Sequence, residues 1–394
     1  MTTITAEQLD QLSFVGDPPA DAVVEEHARH HTGDPTALVG SIAQHLELPP
    51  EQRSPAIDAY LAEQPPLPTW ADPKLLASGA DFFNLEGLGI GSALFCASLP
   101  EAYAGARGAR VLTLTAQMVT DPVRRVYETA QMLFDSMAAD GLTVGTGRGY
   151  QDIRRVRLMH AAVRHLIVNG VEHTDDAETA RGQGSTPPRV WYSPGGTPLN
   201  QEDLLGTLLT FTTVVFDALD RQGIGCEPAD AAAYLHRWCV VGELLGIQPG
   251  LLPLDLDEAR ALQTLIEERQ QRPSLDAPLL GEHLVGALRE SVRIPGLKGL
   301  PATLIRWYCG DPIAKINGIH GSGWTALLFD PLQRFMQWFR GVQRHNKLVR
   351  VIIRHLTAAI LRDFVDQGRG TRPPFTIPQE LDVQVHQTER RWRL

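Results

Sequence analysis

The sequence is poor in several residue types, and each shortage excludes something. Cysteine is scarce, with four in 394 residues. Cys96, Cys226, Cys239 and Cys309 stand far apart, with no CxxC pair, no zinc-type spacing and no CxxCH attachment motif. They read as buried free thiols of a reducing compartment. Basic residues are outnumbered, 36 Lys and Arg against 46 Asp and Glu, for a net charge of −10. That balance excludes nucleic acid as the main partner, because phosphate binding needs a basic face. Strand-like alternation is scarce throughout, and no internal repeat or low-complexity linker divides the chain. The opening MTTITAEQLDQLSF lacks a basic n-region, a twin arginine and an apolar h-region, so no secretory leader is expected and a cytoplasmic location is. The uncharged apolar stretch Leu204–Phe216 is too short to span a bilayer, and no transmembrane segment is expected. There is no GxSxG nucleophile motif. Nor is there the pair of Glu-x-x-His motifs that a ferritin-like di-iron centre needs.

What is present is helical. Hydrophobic residues make up 43% of the chain, ample for a large core without a disulfide or metal staple. The expected architecture is all-α: an arm over residues 1–75, one large helical domain with extra peripheral helices over 76–370, and a tail over 371–394. Residues 1–50 read as a loosely packed helical arm. Four prolines within residues 65–75 force extended structure, suited to a strap over a pocket. Gly87, Gly89 and Gly91 look like a phosphate loop only superficially, since no strand precedes them; close helix packing explains them better. Helical periodicity predicts helices over 121–138, 151–168, 200–221, 229–246, 256–270, 276–292, 299–309 and 330–366. Asp121 and Asn200 serve as N-caps, with Asp203 completing an acidic capping box. Gly170 ends the second of these helices. Residues 171–198, rich in glycine and proline, read as a long loop.

One helix carries the chemistry. Residues three and four apart share a helix face, so Arg157, His160 and Arg164 line up beside a stripe of Val156, Met159, Val163 and Ile167. Two alanines after His160 leave room for a flat ring. A histidine flanked by cations resists protonation, and neutral imidazole is the form that ligates metal. Arginines suit the carboxylates of a haem edge, because guanidinium and carboxylate meet in a planar fork. Imidazole, apolar walls and paired propionates are the minimum parts of a b-type haem site. A hydrogen-bonded core histidine is the plainer alternative, with arginines paired to carboxylates on neighbouring helices.

The stretch RLMHAAVRHLI resembles the haem-dependent oxygenase family of the latex-clearing, rubber-cleaving proteins and the MpaB-type oxygenases. Three further stretches carry the resemblance in order: Arg125 to Thr129, Pro198 to Leu209, and Ala233 to Gly246 with Tyr234, His236 and Trp238. The resemblance implies a globin-like helical core and haem b held by His160 as the proximal iron ligand. It implies that Arg157 and Arg164 lie near the haem edge, and that Arg125 and Thr129 belong to a catalytic pocket helix on the distal side. Rubber-cleaving members can carry a lysine just before that threonine; here the position is Glu128, which favours an open or water-bound iron.

The expected function is a haem b-dependent oxygenase that activates O2 to oxidise a small apolar substrate, with cleavage of a C=C bond within reach. The alternative is a non-catalytic haem or hydrophobic-ligand binding protein on the same scaffold. His236 is expected in the core, His165 to be structural or exposed, and Glu101 as a candidate acid. His27, His30 and His31, in the arm, form a possible zinc cluster. The helix over 330–366 carries seven basic residues from Arg334 to Arg362, which would suit a membrane surface.

Overall fold

The helix starts are written in capping residues. Asp72 accepts from the Lys74 amide with Pro73 at the first helical position, Asn200 and Asp203 form a reciprocal capping box, and Asp255 accepts from the Glu258 amide. Such caps satisfy amides that the helix itself leaves open. In the computed structural model the described residues are 4–320, except 31–34, 44, 46–47, 119–121, 185 and 293–295; side chains of a few more, including 122–129, also lie outside the description. Among them the chain is all-α apart from one small sheet, as the sequence predicts.

The arm holds α1 (Ala6–Leu12), α2 (Pro18–His30), α3 (Pro35–Ala43) and α4 (Pro55–Ala62). Next come α5 (Pro73–Ala93), a π-helical stretch Leu94–Ser98, α6 (Leu99–Ala104), α7 (Ala106–Met118), α8 (Pro122–Met137) and α9 (Arg148–Gly170). Beyond them lie β1 (Glu172–Thr174), α10 (Ala177–Arg181), β2 (Val190–Tyr192), α11 (Gln201–Thr210) and α12 (Thr213–Arg221). The described part closes with α13 (Pro228–Leu244), α14 (Leu256–Gln270), α15 (Asp276–Ser291) and α16 (Leu300–Ile316). The tail and the basic helix expected over 330–366 lie outside the described residues.

Three expectations are corrected. The arm is not loosely packed: Leu9, Ala20, Val24 and Ile57 are fully buried, and α2 and α3 share a core with Leu158, Ala161, Ala162 and Leu166 of α9. The helix expected over 200–221 is two helices. Thr212 leaves helical geometry (φ −118°, ψ −81°), and the Thr212 and Thr213 hydroxyls donate back to the Leu208 and Leu209 carbonyls, a local bond that competes with the helix. The loop over 171–198 contains a parallel pair, Glu172 to Thr174 against Val190 to Tyr192, enclosing α10.

The unbroken helical stretch Pro73–Ala104 is long and apolar enough to cross a membrane, although its sequence is interrupted by Glu86. Two thirds of its most apolar window (67%) is buried inside the protein, the mark of a core helix. Its glycines serve close packing: a Cβ on Gly79 would lie 2.6 Å from the Ala233 carbonyl oxygen of α13, and one on Gly89 2.8 Å from Ile224.

Arg237 pins this core. Its side chain, 1% exposed, donates to the carbonyls of Leu76 (2.7 Å), Ser136 (2.6 and 3.0 Å) and Ala138 (2.5 Å), closing the C-terminal end of α8 onto α5 and α13. Burial lowers its pKa to about 10, so the guanidinium stays charged at neutral pH. Hydrogen bonds to a charged donor are worth roughly 1.5–3 kcal/mol each, and buried carbonyls left alone add a penalty, so Arg237→Met is expected to cost about 3–5 kcal/mol. Denaturant unfolding measures this; a loss under about 1 kcal/mol would remove the pin from the account.

Candidate functional site

Helix α9 is the axle of the site because each of its faces meets a different element. Leu158, Ala161, Ala162 and Leu166 pack on the arm. Val163 and Ile167 pack with Val111, Leu114 and Trp191. Ile153 and Val156 join the main core. His160 sits between the last two faces and is half-buried.

Helix α8 is joined to α9 through residues 138–147 and packs beside it. The two are tightly packed at one point: a Cβ on Gly149 would lie 2.4 Å from the Ser136 Cα. Arg125 and Thr129 lie on α8, which packs against α9; their side chains, like that of Glu128, lie outside the described residues.

The two arginines flanking His160 are already committed. Arg157 grips Asp17 with two bonds, Nε to Oδ2 at 2.6 Å and Nη2 to Oδ1 at 2.7 Å. Arg164, 4% exposed, donates to the Asp21 carboxylate and to the carbonyls of Pro198 (3.1 Å) and Leu199 (2.7 Å). Of the two alternatives left open by the sequence, pairing with carboxylates of neighbouring elements is the arrangement seen. Leu199 takes a left-handed backbone (φ +52°), rare for a branched residue, and its carbonyl is held by Arg164. Sequence reasoning missed Asp17 and Asp21. The signal was there: an aspartate before Pro18 and Pro19, a helix-start pattern.

The other candidates separate. His236 Nε2 accepts from the Asp72 amide at 2.9 Å, and Trp70 stands edge-on against its ring, so this histidine fastens the proline-rich strap rather than filling the core. Trp70 also donates to Glu243 (2.9 Å), and Tyr150 to the Pro65 carbonyl (2.8 Å), so the strap crosses α13 and α9. His165 is half-buried. His27 turns to Ser41 (2.9 Å) and His30 to Glu26 (3.2 Å), while His31 lies outside the described residues. Glu101 is pushed up to about 8 by burial and by Glu267, so it is protonated at neutral pH. It accepts from Gln271 (2.8 Å), and the charged groups acting on it lie on α12 and α14, not on α8 or α9.

Among the described residues no three His, Cys, Asp or Glu side chains converge in a set able to cage a bare ion. A single imidazole suits a metal that brings its own equatorial nitrogens, as haem does. The donor chemistry at His160 fits that group; Ala161 and Ala162, expected to leave room beside the imidazole, instead pack on the arm.

Comparison with known proteins gives the family. The family model described as "ER-bound oxygenase mpaB/B'/Rubber oxygenase, catalytic domain" matches residues 79–341, well over half of the chain, so the chain belongs to that family. His160, Arg157, Arg164, Arg125 and Thr129 all fall inside the match; Asp17 and Asp21 fall outside it. A rubber oxygenase from Streptomyces sp. (strain K30) is 24% identical over 279 residues, 69% of this chain. The match spans 59% of that relative, less than two thirds of its length. A solved structure of latex clearing protein LCP in the closed state shares the fold, with a TM-score of 0.66 at 22% identity over 90% of each chain.

A carboxyl pair at the α8–α9 crossing gives a pH test. Burial and the neighbouring Asp135 push Asp152 up to about 7, against partial relief from Arg155 and Arg148. A carboxyl raised in the fold contributes stability that is complete below its unfolded pKa, near 3.8, and is lost as pH rises through about 7. Asp152→Asn removes that loss. The variant is expected to match the parent at pH 4 and to exceed it in thermal stability at pH 8. Parallel stability curves across this range would contradict the raised Asp152 carboxyl.

Proposed function

We propose that this protein is an oxygenase that holds haem b through His160 and adds O2 to a small, apolar, unsaturated molecule. The observation that carries the reading is the family match over 79–341, with His160 at the middle of α9 and α8 packed against that helix. The name of the Streptomyces relative makes polyisoprene oligomers the first substrates to try. Oxidative cleavage of a C=C bond balances without an external reductant: the double bond breaks and each carbon takes one oxygen atom of O2 as a carbonyl.

Haem, when bound, supplies the oxygen activation. The chain's own residues supply the rest. His160 would hold the iron through a ring nitrogen, as the neutral imidazole that metal binding requires. Val156, Val163 and Ile167 line the same side of α9 and exclude water from it. A dry wall strengthens electrostatic contacts and admits an apolar substrate. Arg125 and Thr129, carried by the helix that packs against α9, are the proposed substrate-side and oxygen-side donors.

The absorption spectrum of haem-supplemented protein tests this. The parent is expected to show a Soret band that His160→Ala removes or strongly shifts, and to consume oxygen with unsaturated apolar substrates. A Soret band without oxygen consumption on any substrate favours a haem or apolar-ligand carrier. Identical spectra for parent and variant would take His160 off the iron.

A further inference from the structure

The arm before residue 79 lies outside the family match, yet Asp17 and Asp21 of it reach the helix that carries His160. Arg157 stands one helical turn before the imidazole and Arg164 one turn after it. Each is paired with an aspartate from the start of α2. The two aspartates are also linked to each other: Asp21 Oδ2 accepts from the Asp17 amide at 3.0 Å. We propose that Asp17 and Asp21 are positioning residues of the His160 site, clamping α9 on both sides of the imidazole.

Two pins hold a helix better than one. Arg157 and Arg164 are seven residues apart in the sequence, about 10 Å along the axis at 1.5 Å per residue. A single ion pair leaves a helix free to roll about the contact; two pairs on one face fix both its roll and its axial position. The clamp is in turn anchored. Gln201, 1% exposed, donates to the carbonyls of Gly16 (2.8 Å) and Gly246 (2.9 Å) and accepts from the Gln248 amide (2.9 Å). Its own amide donates to Val15 (2.9 Å), and Thr197 to Ser13 (2.9 Å). The arm is thus tied to the start of α11 and the end of α13, as well as to α9.

Close packing leaves no slack. Gly246 is in the left-handed region (φ +99°), and a Cβ there would lie 2.4 Å from Asp17 Oδ2 and 3.0 Å from Arg157 Nε. A Cβ on Gly16 would lie 2.9 Å from Asp21 Oδ2 and 3.0 Å from Arg164 Nε. Asp17 is 4% exposed and Arg164 likewise, so a broken pair would strand a buried charge. These residues hold the arginines, and they act on the imidazole through the helix. Outer partners of this kind typically change metal affinity by roughly 10–100-fold.

This inference rests on the reading of His160 as the iron ligand, and the experiment separates the two. Asp17→Asn, Arg157→Gln and the double variant are prepared in the full chain, with Asp10→Asn as an arm control whose pair with Arg269 is largely exposed. Two quantities are measured at fixed pH. One is the rate of His160 acylation by diethylpyrocarbonate in haem-free protein, read by mass spectrometry. The other is the rate of haem loss to a scavenger protein. Both single variants are expected to speed acylation several-fold and haem loss about tenfold, with the double variant no worse than either single. Asp10→Asn is expected to match the parent. Acylation in Asp17→Asn at the parental rate overturns the clamp, whatever the haem result. A parent that takes up no haem overturns the haem reading, while the acylation rates still decide the clamp. If Asp17→Asn does not fold, Asp17→Glu replaces it: its longer carboxylate displaces α9 and must raise acylation in the same direction.

Discussion

A buried guanidinium has to find a partner for each of its N–H groups, and much of this structure can be understood as the answer for Arg164. Its partners come from the arm, through Asp21, and from the loop before α11, through Pro198 and Leu199. Those segments are 143 and 34–35 residues away in sequence. Satisfying one charge therefore assembles the arm, the central helix and the loop at one place. Leu199 is held in a backbone conformation it would not choose, which is what a surrounding structure that over-determines a residue looks like. Arg237 repeats the device in the core, where its partners are carbonyls rather than a carboxylate.

This constraint explains why the site is built on α9. The helix is wrapped by the arm on one side and α8 on another, and it is crossed by the strap between α4 and α5. Arg154 fastens the start of that strap by donating to the carbonyls of Tyr60, Leu61 and Glu63. A residue at the middle of a helix so enclosed has a fixed position. An axial ligand needs that, since small displacements of a catalytic group are costly.

Local features of the fold were legible in the sequence because they depend on neighbours along the chain. The start of α11 at Asn200 with Asp203, the end of α9 at Gly170 and the span of α14 all follow from caps and periodicity. The break at Thr212 was not, since no glycine or proline marks it and the cause is hydroxyl groups bonding back to the preceding turn. At the site, the alignment of Arg157, His160 and Arg164 was legible from helical spacing, and the family from the same residues. The partners of the arginines were not. Asp17 is 140 residues from Arg157, and nothing local distinguishes it from any other helix-capping aspartate. Glu101 shows the same limit from the other side: the sequence suggests an acid near the pocket, while the carboxylates that raise it belong to α12 and α14.

The most direct test of the central claim is a diffraction experiment on haem-loaded crystals at the iron absorption edge. The account predicts one anomalous peak within bonding distance of the His160 ring, between α9 and α8, with Asp17 and Asp21 still on their arginines. An iron peak anywhere else in the molecule, or at His160 with the arm detached, would contradict it.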